Sequence, residues 1–139
     1  MTVRHLVDRD APTAAARFLR FLETGTAPEG LFAPDVFGDL TFPHWRVQAT
    51  SADELLAIRR REHPGPSDVR VERLDPTDRG WVLQLEERWD ADGQRWYARE
   101  MFRADIEDGR ITELTAYCTG DWDEAAQRRH REAVTLVRP

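Results

Sequence analysis

The chain has 139 residues, of which 33% are charged and 40% hydrophobic, with a formal net charge of −6. That length suits one domain around one core, and no apolar run approaches the roughly 18 residues that span a bilayer. The acidic balance argues against nucleic acid as a partner, and the one cysteine excludes an internal disulfide and a cysteine-rich metal site. All twenty basic residues are arginine, so no lysine amine is present for Schiff-base chemistry. The charged first ten residues lack the apolar core of a secretory signal, and the expected location is cytoplasmic.

Ala14, Phe18, Phe21 and Leu22 recur at helical spacing, which predicts an amphipathic helix over residues 11–23. A short helix or turn is expected at 28–31. Residues 39–47 read as extended, with Pro43 confining them to an edge, bulge or bend. Ser51-x-x-Glu54 is a capping box that opens a helix over 52–62, and His63-Pro64-Gly65-Pro66 stops it. Arg59, Arg60 and Arg61 point about 100° apart on that helix, which reads as a solvated face. Strands follow at 68–74, 81–90, 94–106 and 110–118. Asp121 is placed to cap a last helix over 122–133, and 134–137 form a closing strand or tail. Helices followed by a strand meander predict an α+β protein, its helices packed on one face of an antiparallel sheet.

Asp92-Gly93 is the signature of a two-residue type I′ hairpin turn. Pairing about it sets Trp89 against Trp96, Glu87 against Ala98, Leu85 against Glu100, Leu83 against Phe102 and Trp81 against Ala104. One face is therefore apolar except for Glu87 and Glu100. The other pairs Asp90 with Arg95 and Glu86 with Arg99, as a solvated surface does. A one-residue slip would exchange the faces, so the register supports itself from both sides. Asp108-Gly109 forms a second turn, and regular pairing from it puts Glu100 opposite Tyr117.

Glu87, Glu100 and Tyr117 are the candidate catalytic residues. The two glutamates are diagonal neighbours, roughly 7 Å apart or less along the backbone. Burial raises a carboxyl pKa, and a second carboxylate raises it further for one member of the pair. That environment suits general acid/base work, and a tyrosine hydroxyl can hold a developing oxyanion. The competing reading is that arginines from a helix, Arg17, Arg20, Arg59 or Arg60, neutralise the glutamates in a purely structural way.

Candidate pocket residues are Asp39, His44, Trp45, Leu85, Trp89, Trp96 and Phe102. Trp45, Trp89 and Trp96 can form an aromatic wall, although core packing explains tryptophans too. Asp39 either projects into the pocket or caps a turn. His44 is a second acid/base candidate, against the more common structural or exposed role of a lone histidine. His5, His63 and His130 read as solvated, and Cys118 as a small core residue. No metal-ligand spacing or nucleotide-binding motif is present, so no metal and no cofactor is expected.

The order of elements and the motifs Leu31-Phe32-Ala33-Pro34-Asp35-Val36 and Asp108-Gly109-Arg110-Ile111, with Tyr117 six residues beyond Ile111, resemble the nuclear transport factor 2-like superfamily. The likeness is to its SnoaL-like bacterial members and covers residues 11–117. It implies a cone-shaped α+β barrel, a curved antiparallel sheet wrapped around N-terminal helices with an inner cavity, often as a homodimer through the sheet. Members include ketosteroid isomerases, limonene epoxide hydrolases, scytalone dehydratases and polyketide cyclases, beside proteins that only bind or scaffold. Asp39 lies one residue short of the isomerases' base aspartate, and the Asp-Arg-Asp set of the epoxide hydrolases has no match here. Residues 121–139 extend beyond the common pattern and are expected to lid the cavity or build a dimer contact. The whole chain reads as one SnoaL-like domain with its core at 11–119.

The leading expectation is a cofactor-independent acid/base enzyme of isomerase, dehydratase, cyclase or hydrolase type. Its substrate is a small hydrophobic metabolite, polycyclic or aromatic, with no nucleic acid or membrane involved. The alternatives are a non-catalytic small-molecule binder and a dimerising scaffold whose cavity the tryptophans fill.

Overall fold

The structure of the chain, a computed structural model, describes residues 7–63 and 65–139; His5 and Pro64 lie outside the described residues. Helix α1 (Ala14–Thr24) starts where the Thr13 hydroxyl accepts from the Ala16 amide at 3.2 Å, and it ends at Gly25, whose φ of 81° suits glycine. Leu31 then donates to the Pro28 carbonyl, so this stretch is a turn. Strand β1 (Phe32–Thr41) begins earlier than expected, and β2 (Arg46–Ala49) returns antiparallel to it. The segment read as one extended run is thus a hairpin bent at Pro43.

Helix α2 (Ala52–Glu62) opens as its capping box predicts, with Ser51 accepting from the Glu54 amide at 3.1 Å. Strands β3 (Asp68–Pro76), β4 (Gly80–Ala91), β5 (Gln94–Glu107) and β6 (Arg110–Cys118) form the meander. Helix α3 (Glu124–Ala133) is capped by Asp123, which accepts from the Ala126 amide at 2.8 Å. Asp121 is therefore not the cap and is free for another contact. The tail beyond α3 is exposed and forms no strand.

The six strands make one curved, unclosed sheet in the order β2-β1-β6-β5-β4-β3. Its neighbours are antiparallel except β1 and β6, which run parallel, a departure from the all-antiparallel expectation. Pro34 has no N–H to give, and the β1–β6 register shifts between Phe32 and Phe37. The β4–β5 register is the expected one, including Leu85 opposite Glu100 and Glu87 opposite Ala98. Asp92 and Gly93 have φ of 53° and 72°, as a type I′ turn requires.

The second Asp-Gly turn also has positive φ values, 51° and 77°, but the register beyond it shifts between Asp105 and Ile106. Ile106 faces Ile111 while Asp105 faces Glu113, which leaves Thr112 as the extra residue of a bulge. Every later residue of β6 changes face. Leu114, Ala116 and Cys118 turn inward and Tyr117 turns out.

α1 lays its apolar face on the concave side of the sheet. The Phe18 ring meets Phe102 edge-on at 4.8 Å and Trp81 at 5.5 Å. Burying a phenylalanine side chain of this kind contributes about 1.5–3 kcal/mol. α2 packs against β1 and β2. α3 lies instead on the outer face, where Tyr97 and Trp122 exchange backbone hydrogen bonds of 3.0 and 2.8 Å. The C-terminal extension therefore does not lid the cavity. No described helix is long and apolar enough to cross a membrane.

Candidate functional site

Between the two inner helices and the concave face of the sheet lies a cavity of about 70 Å³. Its walls are apolar and rich in phenylalanine: Phe18 and Phe21 from α1, Phe32 from β1, Phe42 from the β1–β2 turn and Phe102 from β5. Arg59, His63 and Glu100 make its polar end, and Cys118 lines it beside them.

Glu87 sits behind that end and is fully buried. Arg59 holds it with a two-pronged pair, one guanidinium nitrogen 2.7 Å from Oε1 and the other 3.1 Å from Oε2. The Ser67 hydroxyl donates to Oε1 at 2.6 Å. Arg59 also reaches the Leu22 carbonyl in the last turn of α1, at 3.3 Å. Burial pushes the Glu87 pKa up, but the hydrogen bonds from Glu100 and Arg59 and the Arg59 charge outweigh it, so Glu87 stays ionised below the usual carboxylate range.

Glu100 has the opposite fate. Burial first, then the charge of Glu87, raise its pKa well above the ordinary value, and Glu100 is the protonated member. The hydrogen bond between the two carboxyls needs that proton. Apart from it, Glu100 has no hydrogen-bond partner among the described residues. Two acids on one sheet face thus carry one proton and one negative charge between them.

His63 completes the group. Its ring stacks on Trp89 with centroids 4.3 Å apart and planes 15° apart, and its Nδ1 is buried without a partner among the described residues. Burial and the Arg59 charge lower its pKa to about 4, so it is neutral. Its Nε2 lies 4.0 Å from Asp121, whose pKa rises to about 6 through burial and the charges of Glu62 and Glu87. His63, Glu87 and Glu100 bring potential metal-ligand atoms within 4.8 Å of one another. Both Glu87 oxygens are already bonded to Arg59, however, and the guanidinium charge opposes a cation there.

Of the expected site residues, the structure brings Glu87, Glu100, Trp89 and Phe102 together. Leu85 is buried in the core beside Glu100. Tyr117 is 61% exposed on the outer face, because the Thr112 bulge reverses its side. Asp39 points outward too and pairs with Arg46 at 2.7 Å, so it neither caps a turn nor enters the cavity. His44 is exposed in the β1–β2 turn, and Trp45 is 63% exposed there. Trp96 donates to the Ala91 carbonyl at 3.0 Å near the hairpin end, so phenylalanines form the wall expected of tryptophans.

Of the two readings of Arg59, a solvated face and a helix arginine that pairs with a glutamate, the second holds, its side chain being 12% exposed, and His63, read as solvated, is buried. For Arg59 a signal existed, since it stands four residues after Leu55, which puts it on the inward side of α2. His63 and Ser67 flank the proline-glycine stop, where no periodicity operates.

No family model matches the chain, and no curated protein sequence matches it either. Solved structures do. The chain has the NTF2-like fold. An NTF2-like protein of unknown function from Burkholderia xenovorans aligns at a TM-score of 0.55 and 17% identity, over 89% of this chain and 92% of that one. An epoxide hydrolase of M. tuberculosis described as LEH-like aligns at 0.60 and 15% identity, over 76% and 79%. AclR, a putative hydroxylase from Streptomyces galilaeus, aligns at 0.58 and 10% identity, over 90% and 87%. Identities this low carry the NTF2-like fold and nothing finer, so chemistry has to be argued from the cavity itself.

Proposed function

We propose that the protein is an acid/base enzyme of the cytoplasm that acts on a small, mostly apolar molecule with its own side chains and no cofactor. The observation that carries this reading is Glu100: a neutral carboxylic acid, buried at the polar end of a phenylalanine-lined cavity, with one oxygen unpaired. An acid that stays protonated at neutral pH can, when its proton turns from Glu87 to the cavity-facing oxygen, give it to a ligand oxygen and take it back. Glu87 supports that role as a fixed negative charge that favours positive charge developing on the ligand, while Arg59 keeps Glu87 ionised. Isomerisation, dehydration, cyclisation and hydrolysis all fit such a group. The cavity volume narrows the substrate expected from sequence, because about 70 Å³ does not enclose a polycyclic molecule. Homodimerisation through the outer face belongs to this reading, supported by the exposed Met101 and Tyr117.

A second reading, a non-catalytic binder of the same fold, is favoured by the Arg59–Glu87 pair, which neutralises one of the two acids as a structural pair would. A panel of small epoxides, ketones and hydroxyketones, followed by mass spectrometry, separates the two. Conversion of at least one compound, reduced about 100-fold or more in Glu100→Gln with binding kept, is the expected outcome. Equal conversion by Glu100→Gln would remove Glu100 from the chemistry, and no conversion at all would favour the binder.

A further inference from the structure

The polar end of the cavity specifies more than a size. Three residues there, Arg59, His63 and Glu100, each carry a buried polar atom without a partner among the described residues, and all three line the same space. Buried polar atoms without partners are costly, and a ligand or water that satisfies them gains the difference.

The sign of the charge comes first. Arg59 and Glu87 cancel each other, while His63 and Glu100 are both neutral. A carboxylate ligand would meet no free cation, and Glu62, which also lines the cavity, would repel it. An ammonium group would meet the Arg59 guanidinium. The site is built for a neutral head group.

Hydrogen-bond direction comes next. Glu87 is ionised and can only accept, so the proton shared by the two carboxyls sits on the Glu100 oxygen that faces Glu87. The second Glu100 oxygen is then the carbonyl-type one, with lone pairs and no proton. It requires a donor. Arg59 Nε, by contrast, can only donate, and neutral His63 Nδ1 donates in one of its tautomers. The group that gives one hydrogen bond and receives another, in a neutral form, is a hydroxyl.

We propose that this cavity selects a neutral alcohol or phenol, whose hydroxyl donates to the free oxygen of Glu100 and accepts from Arg59 or His63. The proposal rests on the cavity's being the ligand site. A cavity of about 150 Å³ is known to take up benzene, and the enclosed space here is about 70 Å³. The hydroxyl and its first few carbons therefore fill that space, and the rest of a larger ligand lies outside it.

The test uses phenol, anisole and benzoate with the full chain at pH 7, each followed by NMR chemical-shift changes of the cavity residues. Phenol is expected to bind at least tenfold more tightly than anisole, which keeps the ring and oxygen but lacks the donor, and more tightly than benzoate. Glu100→Gln is the informative variant. Its amide can donate to Glu87 and still offer a carbonyl oxygen, so the phenol preference is expected to persist within about threefold. Glu100→Leu is expected to bring phenol down to the level of anisole; should that variant fail to fold, the wild-type and Gln comparisons decide alone. Equal binding of anisole, tighter binding of benzoate, no binding of any probe at millimolar concentration, or loss of the preference in Glu100→Gln would each overturn the proposal. A phenol preference without conversion of any panel compound would leave this inference standing and remove the enzymatic reading.

Discussion

Two arginine–glutamate pairs on opposite faces of the sheet have nearly the same geometry and different surroundings. On the outer face Arg99 grips Glu72 with nitrogens 2.8 and 2.7 Å from its two oxygens, and the arginine side chain is 50% exposed. On the inner face Arg59 grips Glu87 at 2.7 and 3.1 Å, with only 12% of the arginine and none of the glutamate exposed. Water can replace either partner outside and neither inside. The inner pair is therefore a commitment of the fold, because removing one member leaves a charge with nowhere to go. The outer pair is a modest surface contact.

The largest test of this contrast is Arg59→Met, which leaves Glu87 buried and unpaired. Urea denaturation should show a loss of about 3–5 kcal/mol, and Glu87→Leu added to it should restore part of the loss. A loss below 1 kcal/mol would make the inner pair no different from the outer.

Next in size is the acid limb of stability. His63 titrates near 6.5 when unfolded and at about 4 when folded, so between those values the unfolded chain takes up a proton that the folded chain refuses. Stability therefore falls as pH drops from 6.5 to 4, by on the order of 3 kcal/mol for this group. Asp121, raised from 3.8 to about 6, acts in the opposite direction over part of that range. Unfolding measured at pH 7, 5 and 4 should show a shallower acid loss in His63→Phe, which keeps a ring to stack on Trp89; an unchanged slope would show that His63 is not buried neutral.

Ser67→Ala should cost about 1–2 kcal/mol, since it removes one hydrogen bond from a buried charge and leaves the others. The smallest effect is outside: Arg99→Ala should cost less than about 1 kcal/mol, and added salt should shrink it further. Parity between these two variants would erase the distinction between the faces.

The same contrast marks how far the sequence could be read. The β4–β5 hairpin was legible in full because an Asp-Gly turn and a two-residue alternation agree, and a slip would have put Glu87 and Glu100 in water. Across the second turn the alternation carries a phase break that the turn does not announce. Ile111, Leu114, Ala116 and Cys118 hold the apolar phase of β6, and the three-residue step from Ile111 to Leu114 is where the bulge sits. Reading that step would have turned Tyr117 outward. The parallel β1–β6 pairing depends on contacts far apart in the chain, and no local pattern encodes it. The proton arrangement was half legible: the acids could be placed, but the choice of Glu87 as the ionised one depends on its hydrogen bond with Glu100 and on Arg59, which reaches it from α2.

One backbone oxygen gives that arrangement a mechanical side. The Leu22 carbonyl, in the last turn of α1, accepts from Arg59 at 3.3 Å and lies 2.9 Å from the Ser67 hydroxyl, whose one proton goes to the nearer Glu87 oxygen. The same helix turn carries Phe21 and Leu22 into the cavity wall. The cavity wall and the anchor of the Arg59 clamp are therefore one turn of helix, so the packing of Phe21 and Leu22 and the seating of Arg59 on Glu87 are set together.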